Sequence, residues 1–129
     1  MKIFFSFLLL LTTVCASAQG ATVESVALFI ARQHNEKMLH DDMTVASTAQ
    51  AIGKNVRITN IIRVQRGLSQ AKRNEFQIAT YSEIVPNVCR ISLEDPAFTK
   101  GLYYTFIYFN TYGEKLAEFI VNKRACGQG

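Results

Sequence analysis

His34 and His40 stand six positions apart and Asp41-Asp42 follow at once, so the stretch from 34 to 42 holds metal-ligating residue types in close order. Six residues along a straight helix place two side chains on different faces, and a helical metal pair needs three or four. The spacing therefore favours a surface histidine at 34 and a helix-end histidine at 40 beside the C-terminal dipole. Glu75, Glu83, Glu94 and Asp95 supply carboxylates. Paired-carboxylate catalysis needs two such groups across a cleft with separated pKa values, and nothing in their spacing arranges that. Ser82 and Ser92 lack a G-x-S-x-G setting, and the glycines form no phosphate-cradling loop. No catalytic residue, metal site or cofactor is expected, and the chain reads as a non-enzyme.

Cysteine use says more. Lys2 precedes the apolar run Ile3 to Leu11, and Ala16-Ser17-Ala18 offers small residues to a signal peptidase, so residues 1–18 read as a cleaved signal peptide and residues 19–129 as one mature domain. The apolar run is too short for a retained span, and no other stretch reaches the roughly 18 apolar residues that a span needs. A lipid-modified Cys15 is the rival; it would want a small residue before the cysteine, where Val14 stands. Cleavage leaves Cys89 and Cys126 in an oxidising compartment, secreted or periplasmic, where they are expected to pair as a structural disulfide. Removing Lys2 lowers the formal charge from +4 to +3, and no basic run, Lys123-Arg124 included, exceeds two residues. Nucleic acid is not an expected partner.

Chemistry then rests on aromatic residues. Tyr103, Tyr104, Phe106, Tyr108, Phe109 and Tyr112 crowd one segment. With Arg57 and Arg63 on a neighbouring strand they could stack bases or sugars, but core packing explains most of them. Leu102, Tyr104, Phe106 and Tyr108 share one strand face, expected to be core. Tyr103, Thr105, Ile107 and Phe109 share the other. A small domain hides only part of this set. The surplus, Tyr103 and Tyr112 with Arg57 and Arg63, has the composition of a protein-binding hot spot.

The elements that must position these residues follow from pattern. Residues 22–39 read as a helix capped by Thr22, with Val23, Val26, Ile30 and Met38 at helical spacing. Runs 44–52 and 56–64 flank the turn signal Gly53-Lys54-Asn55, with Val56, Ile58, Ile62 and Val64 on one face of the second. Ser69 caps a second helix to about Val85, with Ala71, Ile78 and Val85 at seven-residue intervals, until Pro86 interrupts it. Residues 87–100 read as an irregular connection carrying Cys89. A hairpin follows, strands 102–109 and 115–121, with Gly113 in its turn.

The order α-β-β-α-β-β predicts an α+β domain: an antiparallel four-stranded sheet with two helices packed on one face. A helix across a curved sheet, as in cystatin-like folds, is one version. The Gln-x-Val-x-Gly segment of inhibitory cystatins is absent, and "VQRGL" at 64–68 does not supply it, so protease inhibition of that type is not inferred.

Val88-Cys89 through Gly101, Tyr104, Phe106, Tyr108, Gly113, Leu116, Phe119, Val121 and Cys126 resembles the tail of short exported bacterial proteins. In these a cysteine after a helix pairs with one after a "Y-x-Y … G-x-x-h-x-x-F-x-V" hairpin. The resemblance implies fold and compartment, and no activity. The functional expectation is an exported, non-enzymatic protein-binding module: an inhibitor, an immunity-like protector or an accessory protein. The alternative is a carrier or sensor of a small apolar ligand held between helices and sheet.

Overall fold

The computed structural model describes residues 22–37 and 41–127. The expected signal peptide with Cys15, the mature start at Gln19, and Met38 and His40 lie outside the described residues.

Helix α1, Val23–Lys37, starts where Thr22 Oγ1 accepts from the Ser25 amide at 3.1 Å. It buries Val26, Ala27, Ile30, Ala31 and His34, a stripe repeating every four residues. Strands β1, Thr44–Ile52, and β2, Asn55–Ile62, form an antiparallel hairpin whose connection includes Gly53 at φ +60°. That left-handed conformation suits a residue without Cβ. Helix α2, Gln70–Ser92, is capped by Ser69 Oγ, which accepts from the Lys72 amide at 3.2 Å. A short helix α3, Pro96–Thr99, begins at Asp95, and strands β3, Tyr103–Asn110, and β4, Lys115–Val121, complete the chain.

Four expectations need correction. First, α2 does not stop before Pro86; it runs through it to Ser92, so Cys89 lies on the helix. Proline removes one helical donor. Pro86 is solvent-exposed, and six further residues beyond it, Val88 and Cys89 among them, are held by burial against the core. Second, the buried side of α2 is Thr80, Ile84, Val85, Val88, Cys89 and Ser92, with Phe76 partly buried; Ala71 is exposed and Ile78 is 67% exposed. At about 100° per residue Ile78 stands roughly 160° around the helix from both Phe76 and Thr80, so it points away from the face that packs, while Val85 of the same series lies beside Ile84 and is buried. Third, "DPAF" in the supposed irregular connection forms α3, because Asp95 accepts from the Ala97 amide at 2.9 Å and Pro96 sits in the first turn, where its missing N–H costs nothing. Phe98 from this turn is fully buried.

Fourth, the sheet is mixed. Its order is β1-β2-β3-β4, and β2 pairs with β3 in parallel while both outer pairs are antiparallel. A parallel pair needs a long crossover. The 23 residues of α2, about 35 Å of helix, carry the chain back to the end of the sheet where β2 began.

The four-stranded α+β sheet with its helices on one face is as expected. His34 of α1 reaches Ser47 of β1, Phe76 and Tyr81 of α2 meet Tyr108 and Phe119, and Phe98 of α3 stacks on Tyr104 at 6.4 Å, all on the same side. Phe106 continues the aromatic layer, 6.3 Å from Tyr104 and 5.5 Å from Phe119. Tyr104, Phe106 and Tyr108 are therefore core, each at most 2% exposed. Cys89 and Cys126 are bonded across a separation of 37 residues, tying the last turn of α2 to the segment after β4.

Candidate protein-binding surfaces

The parallel register decides where the four expected binding residues stand. Tyr103 pairs with Asn55 and Thr105 with Arg57, so Tyr103 and Arg57 share the face of the sheet opposite the described helices, at the end where β2 and β3 begin. Tyr103 is half-buried and Arg57 exposed. Arg63 follows the far end of β2, where its Nη1 donates to the Asp42 carbonyl at 2.9 Å, and Tyr112 lies in the β3–β4 turn, 57% exposed. At about 3.3 Å per residue, β3 alone sets the Tyr103 end roughly 23 Å from the Asn110 end, where Tyr112 lies in the turn. The four residues thus form two pairs at opposite ends. The cation over the Tyr112 ring is Arg66, with Cζ 4.7 Å from the centroid. Sequence reasoning passed over Arg66 because it lies in the aperiodic link between β2 and α2.

The Tyr112 end is rigidly built. Asn110 Oδ1 accepts from the Tyr112 and Glu114 amides, both at 3.0 Å, and its Nδ2 donates to Glu114 Oε1 at 2.8 Å. Glu114 Oε1 also accepts from the Gly67 amide at 2.8 Å, and Oε2 lies 3.5 Å from Arg73. The Asn110 and Gly67 hydrogen bonds, with Arg73 and Arg66 nearby, hold the Glu114 carboxyl below its ordinary pKa. This network clamps the β3–β4 turn to the start of α2.

The two sheet edges differ. At β1, the Asn35 side chain from α1 donates to the Ala49 carbonyl at 2.8 Å and accepts from the Ala49 amide at 2.7 Å, capping that one position of the edge much as a peptide unit would. At β4, the Glu118 amide reaches Gln77 Oε1 at 3.5 Å, and Arg73 Nη1 reaches the Lys115 carbonyl at 3.3 Å. Between α2 and this edge lies a groove of about 390 Å³ lined by Gln70, Arg73, Asn74 and Gln77 and by residues 115–118.

His34 is not at the surface, as its spacing had suggested, but 6% exposed. Ser47 Oγ donates to Asn60 Oδ1 at 2.7 Å, leaving that hydroxyl oxygen to accept from His34 Nε2 at 2.8 Å. Burial lowers the His34 pKa to about 4, so the ring is neutral near pH 7. A serine that donates to an amide, under a helix, is not an activated nucleophile. The trio joins α1 to the sheet. Burial, then Glu83, raises the Tyr108 phenol well above its ordinary pKa. Among the described residues no three His, Cys, Asp or Glu side chains gather as a metal site would require.

No family model matches the chain, and no curated protein matches it. Two solved structures do. One is the type II secretion system pilotin AspS from Vibrio cholerae, at a TM-score of 0.56 and 19% identity, covering 81% of this chain and 92% of that one. The other is the pilotin EpsS of the Vibrio vulnificus type 2 secretion system, at 0.55 and 14%, covering 81% of this chain and 87% of that one. At these identities the likeness is one of fold: the α+β arrangement of this chain is shared with pilotins over nearly their whole length.

Proposed function

We propose that this is an exported, non-enzymatic protein-binding module, a pilotin-like accessory protein of a type II secretion system. The observation that carries the reading is the match in fold to two pilotins across 81% of this chain. Local chemistry supports it. Among the described residues the space between helices and sheet holds the packed rings of Phe98, Tyr104, Phe106, Phe119 and Tyr108, which favours protein binding over the apolar ligand of the alternative reading. The sheet face opposite the described helices, with its ends, carries tyrosine beside arginine, the composition of interface anchors.

In the source bacterium, photo-crosslinking residues placed at Tyr103, Arg57, Arg63 and Tyr112 should each be tested for capture of a protein. Capture of a type II secretion component from at least one position, with impaired secretion on deletion of the gene, is the expected result. A bound lipid or small molecule with no captured protein from any position would sink the reading.

A further inference from the structure

The outer edge of β4 has the chemistry of an unfinished sheet. Among the described residues β4 is a terminal strand, and its Glu118 amide points away from β3 toward Gln77. Backbone groups of alternate residues point the same way, so Ile120 also presents its N–H and C=O outward. The Glu118 and Lys115 groups are met by Gln77 and Arg73 side chains at 3.5 and 3.3 Å, beyond the usual hydrogen-bond optimum. At the opposite edge Asn35 meets the Ala49 groups at the shorter distances of 2.7 and 2.8 Å. On one side of the open edge lies the groove under α2, where Gln70, Asn74 and Gln77 carry amides that match a peptide's donors and acceptors. On the other side Ile120 is 50% exposed.

We propose that β4 accepts an extended peptide segment of a partner protein as a fifth, antiparallel strand. Its groove-side residues are polar and lie against Gln70, Asn74 and Gln77, and an apolar residue on the other side covers Ile120. The inference rests on the protein-binding reading and names its mode. Phe76 of α2 meets Tyr108 on β3 while Arg73 and Gln77 reach the outer edge of β4, so a fifth strand would pack beside these two side chains. A second copy pairing β4 with β4 is the competing occupant, and a dimer of the free chain that Ile120→Pro dissociates would overturn the peptide-strand proposal.

The test uses the disulfide-bonded exported chain and a displayed library of random linear heptapeptides. Selected peptides should slow amide exchange at Glu118 and Ile120. N-methylation of every second peptide amide should weaken binding at least tenfold, and methylation of the intervening amides should change it less than twofold. Ile120→Pro, which removes an outward donor from an edge strand, should weaken the peptides at least tenfold with the thermal midpoint kept. Should that variant unfold, the methylation series on the wild-type chain still decides. Failure to enrich any peptide, protection elsewhere on the molecule, or tolerance of methylation at every position overturns the proposal. Crosslinking in cells reads the broader function separately: capture of a partner that Ile120→Pro leaves intact removes the edge mode and retains the protein-binding reading.

Discussion

Ile58 of β2 lies beside Phe106 of β3 in parallel register. From this pairing it follows that both strands start at one end of the sheet. Arg57 and Tyr103 therefore meet at that end, while Arg63, Arg66 and Tyr112 gather at the other.

Phe106 stacks on Phe119 and is 1% exposed, whereas Tyr103 on the opposite face is half-buried. Phe106→Ala should cost about 3 to 5 kcal/mol. Tyr103→Ala should cost less than about 1 kcal/mol. Urea unfolding of the two variants checks this, and the reverse order would mean that the two faces had been exchanged.

The Cys89–Cys126 bond closes a separation of 37 residues. In the chain-entropy description its loss removes about 3 to 4 kcal/mol. The double variant Cys89→Ala, Cys126→Ala should show a correspondingly lower urea midpoint, and neither cysteine of the native chain should react with a thiol label before reduction.

His34 has a folded-state pKa of about 4 against 6.5 for an ordinary histidine. Between these values the unfolded chain binds more protons, so stability rises with pH there. The contribution is complete above pH 6.5 and is lost as pH falls toward 4, on the order of 3 kcal/mol in all. The stability difference between wild type and His34→Gln should follow that window. A pH-independent difference would exclude the buried, neutral histidine.

Arg66 over Tyr112 at 4.7 Å should give a coupling of about 0.5 to 1 kcal/mol in a double-mutant cycle on stability. The same cycle for Arg57 with Tyr112 should give none, because they lie at opposite ends of the sheet. In partner binding, Arg57→Ala and Tyr103→Ala should act together, either both weakening it by more than about 1 kcal/mol or both leaving it unchanged.

Much of this protein is written in local pattern. The caps at Thr22 and Ser69, the turn at Gly53, the alternation that makes Tyr104, Phe106 and Tyr108 one face, and the pairing of Cys89 with Cys126 are short-range or combinatorial signals, and each was legible in the sequence. Tertiary structure decided the rest. Burial carried α2 through Pro86, overriding a local preference for breaking, and the choice of Phe76 and Thr80 for the packed side left Ile78, two residues from each, on the opposite side of the helix. The same burial drew His34 into the core, since Ser47 and Asn60 from two different strands supply its polar partners. The crossover made β2 and β3 parallel, and only that pairing, between residues about fifty positions apart, split the expected binding cluster in two. Edge chemistry was invisible for a related reason. Which strands end a sheet, and whether a helix side chain closes them, depends on contacts such as Asn35 with Ala49 and Gln77 with Glu118 that no periodicity records.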